Sequence, residues 1–237
     1  QLMKIINDTT QRRGNVVIPT FAVERAQELM YHIGELVRSD RIPDLPIYLD
    51  SPMAVDVTEV FRQSRSYLDD RSAKLFSEGQ APLRFPGLRL VRRVNESKAI
   101  NHAPGSKIIM AASGMCTGGR IKHHLRHNIV RPESTILFVG YQATGTLGRR
   151  ILERQKGVRI HGQRYPVRAK IEKINGLSAH ADRDDLVRWI GHFESPPRRL
   201  FLTHGEKKAA LALSQRIQDQ LGLNVNVPSY GQRVTLG

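Results

Sequence analysis

Apolar residues follow two alternating rhythms along this chain. Short continuous runs read as buried strands: Asn15-Val16-Val17-Ile18-Pro19, Pro46-Ile47-Tyr48-Leu49-Asp50, Lys107-Ile108-Ile109-Met110-Ala111-Ala112 and residues 134–140. Between them apolar positions recur every three or four residues. From Ala22 onward, Val23, Ala26, Leu29, Met30, Ile33, Leu36 and Val37 share one face of a helix. Ser51 caps the next helix, with Pro52 at its first position and Met53, Val57, Val60 and Phe61 continuing it. Residues 62–86 are polar and read as helix interrupted by loops. Residues 88–91 read as a strand, and Asn95 as the cap of a short helix reaching His102. Residues 121–129 and 146–155 read as two further helices, the second with Thr146 at its cap. Strands alternating with helices of this length predict a parallel sheet with right-handed crossovers, a Rossmann-like α/β arrangement.

The rhythm changes after Gly157. Residues 158–167 alternate about a turn, as a hairpin does, and 169–174 form a further strand-like stretch. A helix over 183–193, a strand over 199–203, a helix over 207–221 and a last strand over 224–227 follow. The pattern places a domain boundary near residues 156–168. Gln1-Leu2-Met3-Lys4-Ile5-Ile6 reads as the middle of an amphipathic helix with no cap before it, so the chain is expected to be part of a longer one.

Composition narrows the function. The 237 residues contain no apolar run near the ~20 residues that cross a bilayer. A single cysteine, Cys116, leaves no internal disulfide and no multi-cysteine zinc cage, and a reducing, cytoplasmic home is expected. Lys and Arg number 37 against 22 Asp and Glu, a net charge of +15 in which arginine outnumbers lysine. Such an excess favours a polyanionic partner held through phosphate contacts. Aromatic residues are only 6%, which disfavours single-strand binding built on base stacking.

Candidate chemistry sits where strands end. Ser113-Gly114-Met115-Cys116-Thr117-Gly118-Gly119-Arg120 is a glycine-rich turn whose backbone N–H groups, with a helix N-terminus behind them, suit an anion. It matches neither GxxxxGK[ST] nor GxGxxG. Lys122, His123, His124, Arg126 and His127 make the next helix basic. Its histidines read as a phosphate-facing or solvated face rather than a metal patch, because no neighbouring carboxylate joins them. Residues 140–150 form a second loop of the same kind, carrying three glycines and ending in Arg149 and Arg150. The expected phosphate contacts are Ser113, Gly114, Thr117, Gly118, Lys122, Arg149 and, near the C-terminal end, Ser178. Two histidines stand at loop positions of the second domain. His180 precedes a helix for which Asp182 serves as cap, and His204 closes an apolar strand. By position alone each fits acid–base chemistry, metal ligation or plain packing.

Together these stretches resemble the β-CASP group of metallo-β-lactamase-fold RNA-processing nucleases. The resemblance runs from about residue 14 to the end. It rests on residues 17–25, Tyr48-Leu49-Asp50-Ser51-Pro52-Met53-Ala54, Ser113-Gly114-Met115, Gly140-Tyr141-Gln142-Ala143, Ser178-Ala179-His180-Ala181-Asp182 and Thr203-His204-Gly205-Glu206. It implies a β-CASP domain over 1–165 and the C-terminal part of a metallo-β-lactamase αββα fold over 166–237. It further implies a zinc-dependent hydrolase of RNA in which two Zn²⁺ ions flank a hydroxide. His204 then corresponds to a ligand of one zinc, and His180 to the general acid or a phosphate contact. A homodimer is implied for the full-length protein. The family's HxHxDH motif is absent from this sequence. The chain alone is therefore expected to bind no stoichiometric zinc and to leave RNA uncut. Two other readings remain open on the residues alone: a non-catalytic RNA-binding module, and an α/β domain for a small phosphorylated ligand.

Overall fold

A computed structural model describes residues 1–67, 70, 74, 83–177 and 180–235. The chain divides into two compact units, Gln1–Leu177 and Ser178–Gly237. The first unit is built on six parallel strands, β1 (Val16–Pro19), β2 (Ile47–Asp50), β3 (Leu88–Val91), β4 (Ile108–Ala111), β5 (Thr135–Phe138) and β8 (Lys170–Lys173). Their order across the sheet is β3-β2-β4-β1-β5-β8. The strands β6 (Gly157–Ile160) and β7 (Gln163–Pro166) form a separate antiparallel hairpin, as the alternation predicted. Both residues of its turn, His161 and Gly162, have positive φ, as a two-residue hairpin turn matched to strand twist requires.

The period-2 geometry of a strand explains why the central runs are apolar throughout. Val16 and Ile18, Ile47 and Leu49, Ile108 and Met110, and Leu137 all enter one core. Their neighbours Val17, Tyr48, Ile109, Ala111, Ile136 and Phe138 enter the other. Each sheet face is then covered by helices, as parallel sheets demand. Helices α1 (Leu2–Gln11), α2 (Arg25–Arg38) and α3 (Pro52–Gln63) supply Ile5, Ile6, Leu29, Met30, Ile33, Ala54 and Val55 to the first core. Helices α4 (Val94–Ile100), α5 (Ile121–Asn128) and α6 (Leu147–Leu152), with the hairpin, supply Ile100, Ile121, Leu125, Ile151, Val158 and Ile160 to the second.

Several local expectations shift. Ser51 caps α3 by accepting from the Ala54 N–H, and Thr146 caps α6 by accepting from the Arg149 N–H, as read from the sequence. The short helix before His102 begins two residues earlier than a cap at Asn95 implied. Arg93 holds the cap position, and its N–H donates to Glu96 Oε2. A helical turn at Arg65–Tyr67 follows α3, and most of residues 68–82 lie outside the described residues. The stretch after residue 165, read as the start of the second domain, contributes β8 to the edge of the first unit's sheet. It pairs there with β5, Ile136 standing opposite Ile171.

The second unit contains α7 (Arg183–Ile190), β9 (Leu200–Phe201), α8 (Lys207–Leu221) and β10 (Val225–Asn226), the two strands running parallel. Val187, Ile190 and Ile217 form its core, with Leu200, Leu202, Leu213 and Leu221 packed around them. Its strands are shorter than the apolar runs suggested. Gly222 ends α8 in the left-handed conformation that glycine adopts without penalty.

Truncating a sheet residue in the second core tests this two-sided packing. Phe138 is fully buried, so Phe138→Ala is expected to cost about 3–5 kcal/mol in urea unfolding. Val60→Ala, on the exposed side of α3, is expected to stay within about 0.5 kcal/mol.

Candidate functional site

With both sheet faces covered, access to the first unit lies along the edge where the parallel strands end. The exit of β1 leads to α2 on one face, whereas the exits of β4 and β5 lead to α5 and α6 on the other. Where neighbouring connections part in this way a crevice opens, and α/β sheets bind ligands there. The loops meeting at this crevice are residues 20–24, 112–120 and 139–146. The Phe21 ring lies over both glycine-bearing loops. A Cβ on Gly114 would stand 2.7 Å from that ring, and one on Gly140 would stand 3.8 Å away. Gly119 has φ +73, and a Cβ there would meet the Ala112 carbonyl oxygen at 2.2 Å. The loop folds this tightly only with glycine at both 114 and 119.

The two loops are bolted together by Gln142, which is buried. Its Nε2 donates to the Gly114 carbonyl at 2.9 Å and to the Tyr141 carbonyl at 3.1 Å. The Gly148 N–H donates to the Met115 carbonyl, and the missing side chain of Gly148 leaves room for Gln142 Oε1. Ser113 works inward. Its Oγ accepts from the N–H groups of Thr117 at 3.1 Å and Gly118 at 3.3 Å, turning into the loop two donors that the sequence assigned to an anion. Thr117 itself is exposed and Lys122 is half-buried. Arg149 donates to the Gln142 carbonyl at 3.2 Å and to Glu153 Oε1 at 2.6 Å, which fixes the base of the second loop. Cys116 is buried, and burial pushes its thiol up to about 12, so it is a packing residue and not a nucleophile.

Beside this crevice lies a buried polar cluster that the sequence reading missed. Asp50 ends β2 with its carboxylate fully buried. It receives hydrogen bonds from Ser97 Oγ of α4 at 2.5 Å, from Arg120 Nη1 at 2.7 Å and from His124 Nε2 of α5 at 2.6 Å. His124 is buried as well, with Nδ1 facing Asn101 Oδ1 at 2.9 Å. Arg120 also donates to the Val91 and Arg92 carbonyls, closing off the end of β3. Burial opposes ionisation of Asp50. The hydrogen bonds from His124, Ser97 and Arg120 outweigh it and hold the carboxyl below its ordinary range. The expectation that no carboxylate joins the histidines of α5 is therefore corrected: Asp50, 74 positions away in sequence, binds His124. The available signal was a carboxylate closing an otherwise apolar strand, a position that stays buried only with partners.

In the second unit Asp182 caps α7 as expected. It accepts from the N–H groups of Asp184 at 2.8 Å and Asp185 at 2.9 Å, and the Asp185 carboxylate accepts from the Asp182 N–H in return. His180 is exposed, just ahead of that cap, and Ser178 lies outside the described residues. His204 is exposed with φ +65, three residues beyond the end of β9. A catalytic zinc takes about three protein ligands and an open position. Among the described residues no group of three or more His, Cys, Asp or Glu side chains is placed to hold a metal. The described residues do not by themselves make up a complete zinc site.

Two family models match the chain. Residues 26–151 match the Beta-Casp domain, and residues 164–228 match a domain described as a Zn-dependent metallo-hydrolase RNA specificity domain. A ribonuclease of Thermus thermophilus is 40% identical over 99% of this chain and 53% of its own length. Transcription termination factor FttA of Methanosarcina mazei is 32% identical over 99% of this chain and 38% of its own length. An RNase J-like protein of Methanocaldococcus jannaschii is 32% identical over 98% of this chain and 52% of its own length. The chain thus spans about half the length, or less, of these relatives.

Removing the Asp50 charge tests whether the cluster holds the sheet edge. Asp50→Asn is expected to cost about 3–5 kcal/mol at neutral pH, because Arg120 loses a buried counter-charge and the hydrogen bonds from Ser97 and His124 lose their charged acceptor. The folded-state carboxyl titrates below its unfolded value of about 3.9. Its contribution is therefore complete above that value and is lost as the pH falls through the folded one. Urea unfolding at neutral and acidic pH is expected to show this acid-side loss in the wild type and a weaker one in the variant.

Proposed function

The chain belongs to the β-CASP family of metallo-β-lactamase-fold nucleases, and on that premise we propose that it supplies the RNA-clamping part of a hydrolytic RNA-processing enzyme. One observation carries the reading. Two glycine-bearing loops, locked to each other through Gln142, meet at the crevice where a doubly covered parallel sheet opens, in a chain of net charge +15. The names of the relatives, ribonuclease and transcription termination factor, support RNA as the polymer.

The proposed roles follow from what each group does locally. Ser113, Gly114, Thr117 and Gly118 shape and present the first loop, with the exposed Thr117 hydroxyl facing the strand. Lys122 and Arg149 add positive charge beside the phosphates. The Arg149 guanidinium is held in place by the Gln142 carbonyl, which lowers the entropy lost on binding. Ser178 is proposed as a further phosphate contact on the family motif that contains it. On the same motifs His204 is one ligand of a zinc ion, and His180 is the acid or a phosphate contact. Zinc, when bound, supplies the activated water and stabilises developing negative charge. The remaining ligands of a two-zinc site come from outside this sequence. We therefore propose that the chain by itself leaves RNA intact, and that the full-length enzyme acts in the cytoplasm as a homodimer.

RNA retention tests the clamp. The chain is expected to bind single-stranded RNA with an affinity that falls steeply as salt rises. Lys122→Gln is expected to weaken binding evenly across sequences and to reduce the salt slope by about one. Binding of RNA and of a mononucleotide with equal affinity and no salt dependence would overturn the reading. A fluorescent RNA incubated with the chain and added zinc is expected to stay uncut, with less than one zinc per chain by metal analysis. Zinc-dependent turnover would show that the site is complete.

A further inference from the structure

Helix α5 presents a second face, apart from the glycine-bearing loops. Between α4 and α5 lies a cleft of about 440 Å³. Its walls carry Lys98 and His102 from the α4 side, and Arg120, His123, Arg126 and His127 from the α5 side. Among the described residues no aspartate or glutamate lines it. The carboxylate bound to Arg120, that of Asp50, is buried and already taken by Ser97, Arg120 and His124. Those same bonds fix the relative positions of α4 and α5, because Ser97 and Arg120 reach one carboxylate from the two walls.

The histidines of this cleft are held in pairs. His127 lies edge-on to His102 with ring centroids 6.0 Å apart, and Arg126 Nη2 stands 3.5 Å from His127 Nε2. His123 lies against His161 of the hairpin turn at 4.6 Å. Packing imidazoles and guanidinium groups this closely disfavours their simultaneous protonation, and an anion between them removes that penalty. Folding has gathered cationic groups from the α4 side and from α5, with His161 of the hairpin against one of them and no acid among the described lining residues to neutralise them. A solvated helix face does not require that arrangement.

We propose that this cleft is a separate oxyanion site, taking a phosphate group of an RNA strand or of a free phosphate ester, with affinity that rises as the pH falls. The groups that set the dependence are Lys98 on α4, His102 just after it, Arg120, Lys122, His123, His124, Arg126 and His127 on and before α5, His161 on the hairpin, and the buried Asp50. Burial, then the charges of His161 and Arg126, holds His123 below the ordinary histidine value. Burial, then Arg126 and His102, does the same to His127. A bound anion raises both. The added affinity is complete below the free-state values and is lost as the pH rises through the bound-state ones.

Sulfate is the suitable probe, because its charge is constant across this range and any pH dependence belongs to the protein. Titration of the chain with sulfate, followed through the histidine ring protons, is expected to move His102 and His127. The affinity is expected to be about tenfold higher near pH 5.5 than near pH 8. The double variant Arg126→Gln/His127→Gln is expected to lose that response. Lys98→Gln, an exposed change on the opposite wall, is expected to weaken it and provides the test should the double variant fail to fold. Equal affinity at both pH values, or no movement of these rings, overturns the proposal. A parallel titration with single-stranded RNA near pH 5.5 separates the sources. Weaker RNA binding by the double variant assigns the phosphate to the strand, whereas unchanged RNA binding with lost sulfate binding assigns it to a free ester. RNA binding by the wild type without any sulfate response removes the cleft and leaves the proposed clamp intact.

Discussion

Six parallel strands covered on both faces direct the loops of the first unit to the edge where the strands end. The central strands bury side chains in both directions, so neither face can be opened without exposing a core. The division of the helices then decides where along that edge a ligand fits. With α2 and α3 on one face and α5 and α6 on the other, the exits of β1 and β4 diverge, and the glycine-bearing loops occupy the resulting gap. Gly114 under Phe21 and Gly119 against Ala112 are the points at which backbone approach, rather than side-chain chemistry, sets the loop's shape.

Asp50 performs a related task at the neighbouring strand end. A buried carboxylate is costly unless its hydrogen bonds are satisfied, and here donors from α4, from the start of α5 and from its second turn meet on one group. The cluster explains why two histidines adjacent in sequence have opposite fates. His124 is fixed inside against Asp50, and His123, on another face of the helix, is exposed beside His161. The basic character of α5 is thus divided between an internal clasp and an outward-facing cleft.

Much of this was legible from the residues. The strand runs at 16–18, 47–50 and 108–111, the caps at Ser51, Thr146 and Asp182, and the hairpin after Gly157 all rest on local rules that packing did not override. The family, too, was carried by short motifs at strand ends. The partnership of Asp50 with His124 was not legible, because it joins residues 74 positions apart through strand order. The inward use of Ser113 Oγ was hidden for a related reason: a hydroxyl in a glycine-rich turn serves the loop's own N–H groups or a ligand's oxygen equally well until the turn is closed.

The sequence by itself determined the period of each element, the positions of the turns and the excess of positive charge, because these depend on residues a few positions apart and on composition. Only the tertiary structure decided which strands are neighbours, that residues 170–173 complete the first unit's sheet, and that cations from the α4 side and from α5 gather around a cleft with no acid among its described lining residues. Those outcomes depend on which faces must be buried against each other, a constraint of the whole chain rather than of any segment of it.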